Sequence, residues 1–142
     1  MPIIQQPAFE IANLNSTLAS QAQQVGEPVS VRVHLSVADS QAKWTEVAQA
    51  AVSVVGVVFD VAGFTWRIRR SNSHRLLNLL GQNEAGKTTL ITLARGFEQT
   101  IAVTLFGNHG TAKFDEAACS IENGAFEALP ESLNRLLVNA AG

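Results

Sequence analysis

One cysteine, Cys119, occurs in 142 residues, so an intrachain disulfide and a multi-cysteine metal site are both excluded. That residue reads as a small buried hydrophobe. Charge is also scarce. Only 15% of residues are charged and the formal net charge is −2, which argues against nucleic-acid binding through an overall positive field. No apolar run is long enough to span a bilayer, because the best candidate, Ala48 to Ala62, is interrupted by Gln49, Ser53 and Asp60. The first ten residues, MPIIQQPAFE, lack the basic residue ahead of an apolar stretch that a secretory signal needs, so folding in the cytosol is expected. There is no internal repeat, no G-x-S-x-G and no metal-ligand spacing among His34, His74 and His109. No catalytic residue and no metal ligand is assigned.

What is present is apolar and patterned. The hydrophobic fraction of 46% suits a chain with a substantial core, and the length suits a single domain over residues 1–142. Ile11, Leu14, Leu18, Ala22 and Val25 recur at helical spacing and predict an amphipathic helix over 10–25, stopped by Gly26-Glu-Pro28. VSVRVHLSV, Val29 to Val37, alternates and predicts a half-buried strand. Asp39 is placed to cap a short helix running to about Ala51, with Trp44, Val47, Ala48 and Ala51 inward. The β-branched run Val52 to Val61 predicts a strand buried on both faces. Phe64 to Arg69 alternates again, with Thr65, Arg67 and Arg69 outward. Thr100 to Phe106 predicts another strand, ended by Gly107-Asn-His-Gly110. Near the C-terminus, Phe114, Ala117, Ala118 and Ile121 suggest a helix with a cap at Asn123-Gly124. Pro130 opens a last helix that packs Leu133, Leu136 and Leu137. The expected class is α+β: a strand-rich central sheet or barrel with an N-terminal helix and C-terminal helices.

The segment LLGQNEAGKTTLI contains Gly81-Gln-Asn-Glu-Ala-Gly86-Lys87-Thr88, a full match to G-x-x-x-x-G-K-[S/T]. In that pattern the glycines let backbone N–H groups turn around a phosphate, the lysine neutralises its charge and the hydroxyl holds Mg²⁺ at a helix start. Over about residues 77–91 the wording resembles the Walker A loop of ABC-type and SMC-type ATPases. The resemblance implies that Gly81, Gly86, Lys87, Thr88 and Thr89 would bind ATP or GTP with Mg²⁺. The same letters also describe two antiparallel strands, His74 to Leu80 and Thr88 to Leu93, joined by a loop rich in turn residues. After Gly81 no apolar strand ends in Asp to act as Walker B; Val57-Val-Phe-Asp60 has that form but lies upstream. The hydrolytic set is incomplete.

Arg67, Arg69, Arg70 and Arg75 concentrate positive charge within WRIRRSNSHR, beside His74, and form a candidate anion contact for protein or nucleic-acid phosphates. From Lys113 onward the balance is acidic, with Asp115, Glu116, Glu122, Glu127 and Glu131 against Lys113 and Arg135. Opposed patches suit head-to-tail association of copies of the chain. The function expected from these features is a non-enzymatic structural or interaction subunit of a homo-oligomeric assembly, of the virion, phage-tail or secretion-apparatus kind, with no cofactor and no membrane contact. The alternative is a P-loop nucleotide-binding protein using the 81–89 loop, and a third reading is a nucleic-acid-contacting module using the arginines.

Overall fold

Alternation over 29–37 builds the middle of the molecule. In the computed structural model, which describes residues 11–70, 75–117 and 129–140, β1 (Pro28–Val37) is an interior strand whose Val31, Val33 and Leu35 are buried. It pairs in parallel with β4 (Thr88–Arg95) and antiparallel with β5 (Thr100–Gly107). Hairpins extend the sheet on both sides, β2 (Thr65–Arg70) and β3 (Leu76–Gln82) beyond β4, and β6 (Gly110–Ala117) beyond β5. The order β2-β3-β4-β1-β5-β6 leaves two free edges, so the architecture is an open mixed sheet and not a barrel.

The helices gather on one face of this sheet. α1 (Ile11–Ala22) buries Leu18, and α2 (Trp44–Gly56) packs on β1 and β4. α3 (Glu131–Ala140) packs on β2 with Leu133 and Leu137 fully buried. Leu136, expected inward with them, is exposed, because i+3 from Leu133 falls off the stripe that Leu137 continues. Leu35, Leu77, Leu79, Ile91, Leu93, Ile101 and Leu105 project from the same side of four strands into one cluster with these helices. Each such side chain contributes about 1.5–3 kcal/mol relative to its exposed state.

Three expected elements differ. Residues 52–56 continue α2 instead of starting a strand: Ala50, Ala51, Val52, Val54 and Val55 are all buried. Only Thr45, Glu46, Gln49, Ser53 and Gly56 leave α2 with a partly exposed side, and burial of the rest outweighs the strand preference of valine. The chain then turns, with Val58 and Phe59 N–H donating to the Val55 carbonyl, so Val57 to Asp60 is not a strand. Asp60 caps a single 3₁₀ turn by accepting from the Ala62 N–H at 3.1 Å. Asp39 does not cap α2; its carboxylate accepts from the Gln41 N–H at 2.9 Å in a local turn, and Lys43 precedes the helix. Finally, Phe114 and Ala117 lie on β6, an edge strand, where Gly107 and Gly110 close a tight hairpin and Ala112 points to the core. Cys119, Ala118, Ile121 and Asn123-Gly124 fall outside the described residues, as does His74. Among the described residues no helix is long and apolar enough to cross a membrane.

Candidate ligand trough on the open sheet face

Residues of the lysine loop form the tip of the β3–β4 hairpin. The Asn83 N–H donates to the Lys87 carbonyl at 3.1 Å, the Gly86 N–H to the Asn83 carbonyl at 3.1 Å, and the Lys87 N–H to Asn83 Oδ1 at 2.9 Å. Three backbone donors are thereby used inside the loop. Gly86 sits at φ +82°, the left-handed region in which glycine carries no Cβ penalty. Gly81 lies within β3, where a Cβ would come within 2.8 Å of both the Phe64 and Trp66 rings and 2.9 Å of the Thr89 side chain. It is a packing glycine under two aromatics.

The remaining loop groups have partners in β1 or just before it. Lys87 Nζ lies 3.0 Å from Glu27 Oε1, Thr88 Oγ1 donates to Ser30 Oγ at 3.0 Å, and buried Thr89 Oγ1 donates to the Val31 carbonyl at 2.7 Å. Where a phosphate loop is followed by a helix, this one is followed by β4.

The arginine cluster is dispersed by the fold. Arg67 and Arg69 project from β2 on the side away from the helices, as the alternation implies. Arg70 pairs in register with buried Leu77, and the Arg75 guanidinium lies 5.6 Å from the Phe97 ring centroid. Of the acidic residues, Asp115 and Glu116 are on β6 and Glu131 is bonded to Arg135 within α3, whereas Glu122 and Glu127 are outside the described residues.

The helix-free face is organised in rows by the strand registers. One row reads Arg67, Leu80, Leu90, Arg32, Thr104, Lys113 from β2 to β6. The row beside it begins Thr65, Gln82, Thr88, Ser30. The first four positions of both rows line a trough of about 490 Å³, within the size range of small-molecule sites. Half-buried Leu80 and Leu90 form its floor, the hydroxyls and amide its rim, and Arg67 and Arg32 its two ends. Arg32 and Arg67 stand three strand spacings apart, about 14 Å between backbones.

Arg32 was not singled out by sequence reading. Alternation places it on the face of Ser30 and His34, but its relation to Arg67 depends on the sheet order, in which β4 and β3 intervene. Its guanidinium lies 5.4 Å from the Phe106 ring centroid, a cation–π contact that steadies the side chain without neutralising it. No carboxylate is among the described residues lining the trough.

No protein-family model and no curated protein matches the sequence. Solved structures do match in fold. A chain assigned as a myo-inositol dehydrogenase of Sinorhizobium meliloti aligns with a TM-score of 0.57 at 9% identity, over 70% of this chain and 37% of its own. The scyllo-inositol dehydrogenase of Lactobacillus casei, with bound NAD(H) and scyllo-inositol, aligns with a TM-score of 0.56 at 9% identity, over 92% of this chain and 50% of its own. A protein of gentamicin A biosynthesis in complex with NAD aligns with a TM-score of 0.55 at 14% identity, over 76% of this chain and 37% of its own.

The fold is shared with oxidoreductase chains. This chain spans between about a third and a half of their length. The likeness overturns two expectations. A non-enzymatic subunit of a virion, phage tail or secretion ring is not retained, because the structures that share this sheet include inositol dehydrogenases and a protein in complex with NAD. The absence of a cofactor is not retained either, since two of those structures hold NAD or NAD(H).

Proposed function

We propose that this chain is the polyol-facing domain of a nicotinamide-dependent oxidoreductase, and that the trough between Arg67 and Arg32 receives the polyol. The observation that carries this reading is a hydroxyl- and amide-rimmed trough on the helix-free face of a sheet shared with inositol dehydrogenase structures. Rim groups of this kind exchange hydrogen bonds with vicinal hydroxyls, while the leucine floor accepts the C–H face of a saturated ring.

Topology supports a substrate role for this sheet beside the cofactor. Dinucleotides are held where the strand order reverses in a doubly wound parallel sheet, at a glycine-rich turn that leads into a helix. Here β1 and β4 are the parallel pair, the other pairings are antiparallel, and the glycine-rich turn joins two strands. In this reading NAD(H) sits on a separate parallel sheet and this chain presents the polyol to it. Titration calorimetry of the chain with a panel of cyclic polyols, neutral and phosphorylated, should give saturable binding. Absence of saturable heat across the whole panel, with and without NAD(H), would overturn the reading.

A further inference from the structure

We infer that the polyol bound by the trough is anionic: a cyclic polyol carrying a phosphate group, with the ring over Leu80 and Leu90, the phosphate on the guanidinium of Arg67 at one end and the far ring hydroxyls facing Arg32 at the other. This inference rests on the polyol reading above and adds the charge of the ligand to it.

The first ground is charge without compensation. Arg67 and Arg32 are both exposed, both line the trough, and neither has a carboxylate partner among the described residues. Lys87, the nearby cation at the hairpin, is by contrast paired to Glu27 at 3.0 Å. Thus the cation just outside the trough is neutralised within the chain, and the two inside it are left to a ligand. A neutral polyol would leave the Arg67 guanidinium without an anion, whereas a phosphate offers it a pair of oxygens matching its planar fork, and the far ring hydroxyls accept from Arg32.

The second ground is the composition of the space between the cations. Leucines occupy the two positions separating Arg67 from Arg32 in their row, on the strands between β2 and β1. An extended anionic polymer would meet apolar surface for two of every four strands here, with no aromatic residue among the lining residues on which bases could stack. A compact ligand with one apolar ring face and one anionic group uses both parts. The rim adds hydroxyl recognition, and Thr88 and Ser30 already bonded to each other at 3.0 Å present fixed oxygen positions to it.

The third ground is preorganisation. The Arg32 guanidinium is held against the Phe106 ring, and Arg67 rises from a strand whose neighbours Trp66 and Ile68 are anchored on the opposite face. Less side-chain entropy is lost on binding when the recognising group is already steadied.

The test compares inositol 1-phosphate, myo-inositol and inorganic phosphate by titration against the intact chain and the variants Arg67→Gln, Arg32→Gln and Arg69→Gln. Thermal unfolding of each variant verifies that these exposed substitutions leave the fold in place. The expected result is at least tenfold tighter binding of inositol 1-phosphate than of either myo-inositol or inorganic phosphate. Loss of the charged partner of the phosphate should weaken that binding by about ten- to a hundredfold for Arg67→Gln, and loss of a donor to the ring hydroxyls by about three- to tenfold for Arg32→Gln. Arg69→Gln, one row along the same face and outside the trough, should change it less than threefold.

Equal affinity for myo-inositol and its phosphate would overturn the anionic assignment and leave the polyol reading standing. Equal affinity for inorganic phosphate and the inositol phosphate would overturn the ring placement. An equal loss from Arg69→Gln would overturn the trough as the anion site, because a diffuse positive field would then account for binding. Binding of none of the three would remove the polyol reading and the inference together.

Discussion

The two faces of the sheet are made from the same strands and have opposite characters. Toward the helices, Leu79, Ile91, Val33 and Val103 follow one another across the four central strands, each at most 2% exposed. Toward the open side, the adjoining row alternates guanidinium, leucine, leucine, guanidinium and threonine. A one-residue offset in register would exchange the two sets, so the aliphatic face that anchors the fold also holds the arginines in place. The helix-covered side accounts for stability, and the open side is free to carry recognition.

The largest effect that sharpens this contrast belongs to neighbouring residues of β4. Ile91→Ala removes a fully buried side chain and should cost about 2–5 kcal/mol in chemical denaturation. Leu90→Ala, on the half-buried trough floor, should cost less than about 1.5 kcal/mol while weakening ligand binding. Equal destabilisation by both would mean that the open face is covered, and the contrast would fail.

Gly81→Ala comes next. Its Cβ would intrude on Phe64, Trp66 and Thr89 at under 3 Å, and overpacking of this kind costs about 1–3 kcal/mol, readable as a lowered denaturation midpoint. A phosphate-binding glycine at the same position would leave stability unchanged and abolish nucleotide binding.

Thr89→Val follows, deleting the buried hydroxyl that donates to the Val31 carbonyl, for about 1 kcal/mol. The smallest effect is expected for Lys87→Ala. Its ion pair joins a side chain 21% exposed to one 70% exposed, so less than about 1 kcal/mol should be lost. ATP or GTP binding that disappears with this substitution would break the hairpin account of the loop.

The legible parts of the fold were those in which one periodicity dominates. VSVRVHLSV and FTWRIR alternate cleanly, and β1 and β2 lie where that alternation placed them. The last helix was readable from Pro130 and the spacing of Leu133 and Leu137. Val52 to Val55 misled because a valine run carries no period of its own, and its conformation is set by burial against β1 and β4. Among residues 111–114, Ala112 is buried and Phe114 half-buried beside Lys113, a weak pattern typical of an edge strand.

At the candidate site, the outward direction of Arg67 was legible, and its pairing with Arg32 was not. Thirty-five positions separate the two in sequence, and only the order β2-β3-β4-β1 brings them to the ends of one trough. The lysine loop shows the reverse difficulty. Its letters satisfy a ligand pattern, but Asn83, Gly86 and Lys87 satisfy one another first.

The central claim is that recognition takes place over Leu80 and Leu90 on the helix-free face. Intermolecular nuclear Overhauser contacts between the ring protons of bound inositol 1-phosphate and the methyl groups of the protein test it most directly. The account predicts contacts to the Leu80 and Leu90 methyls. Contacts confined to Ala85 in the hairpin tip, or to the valines of α2, would contradict it.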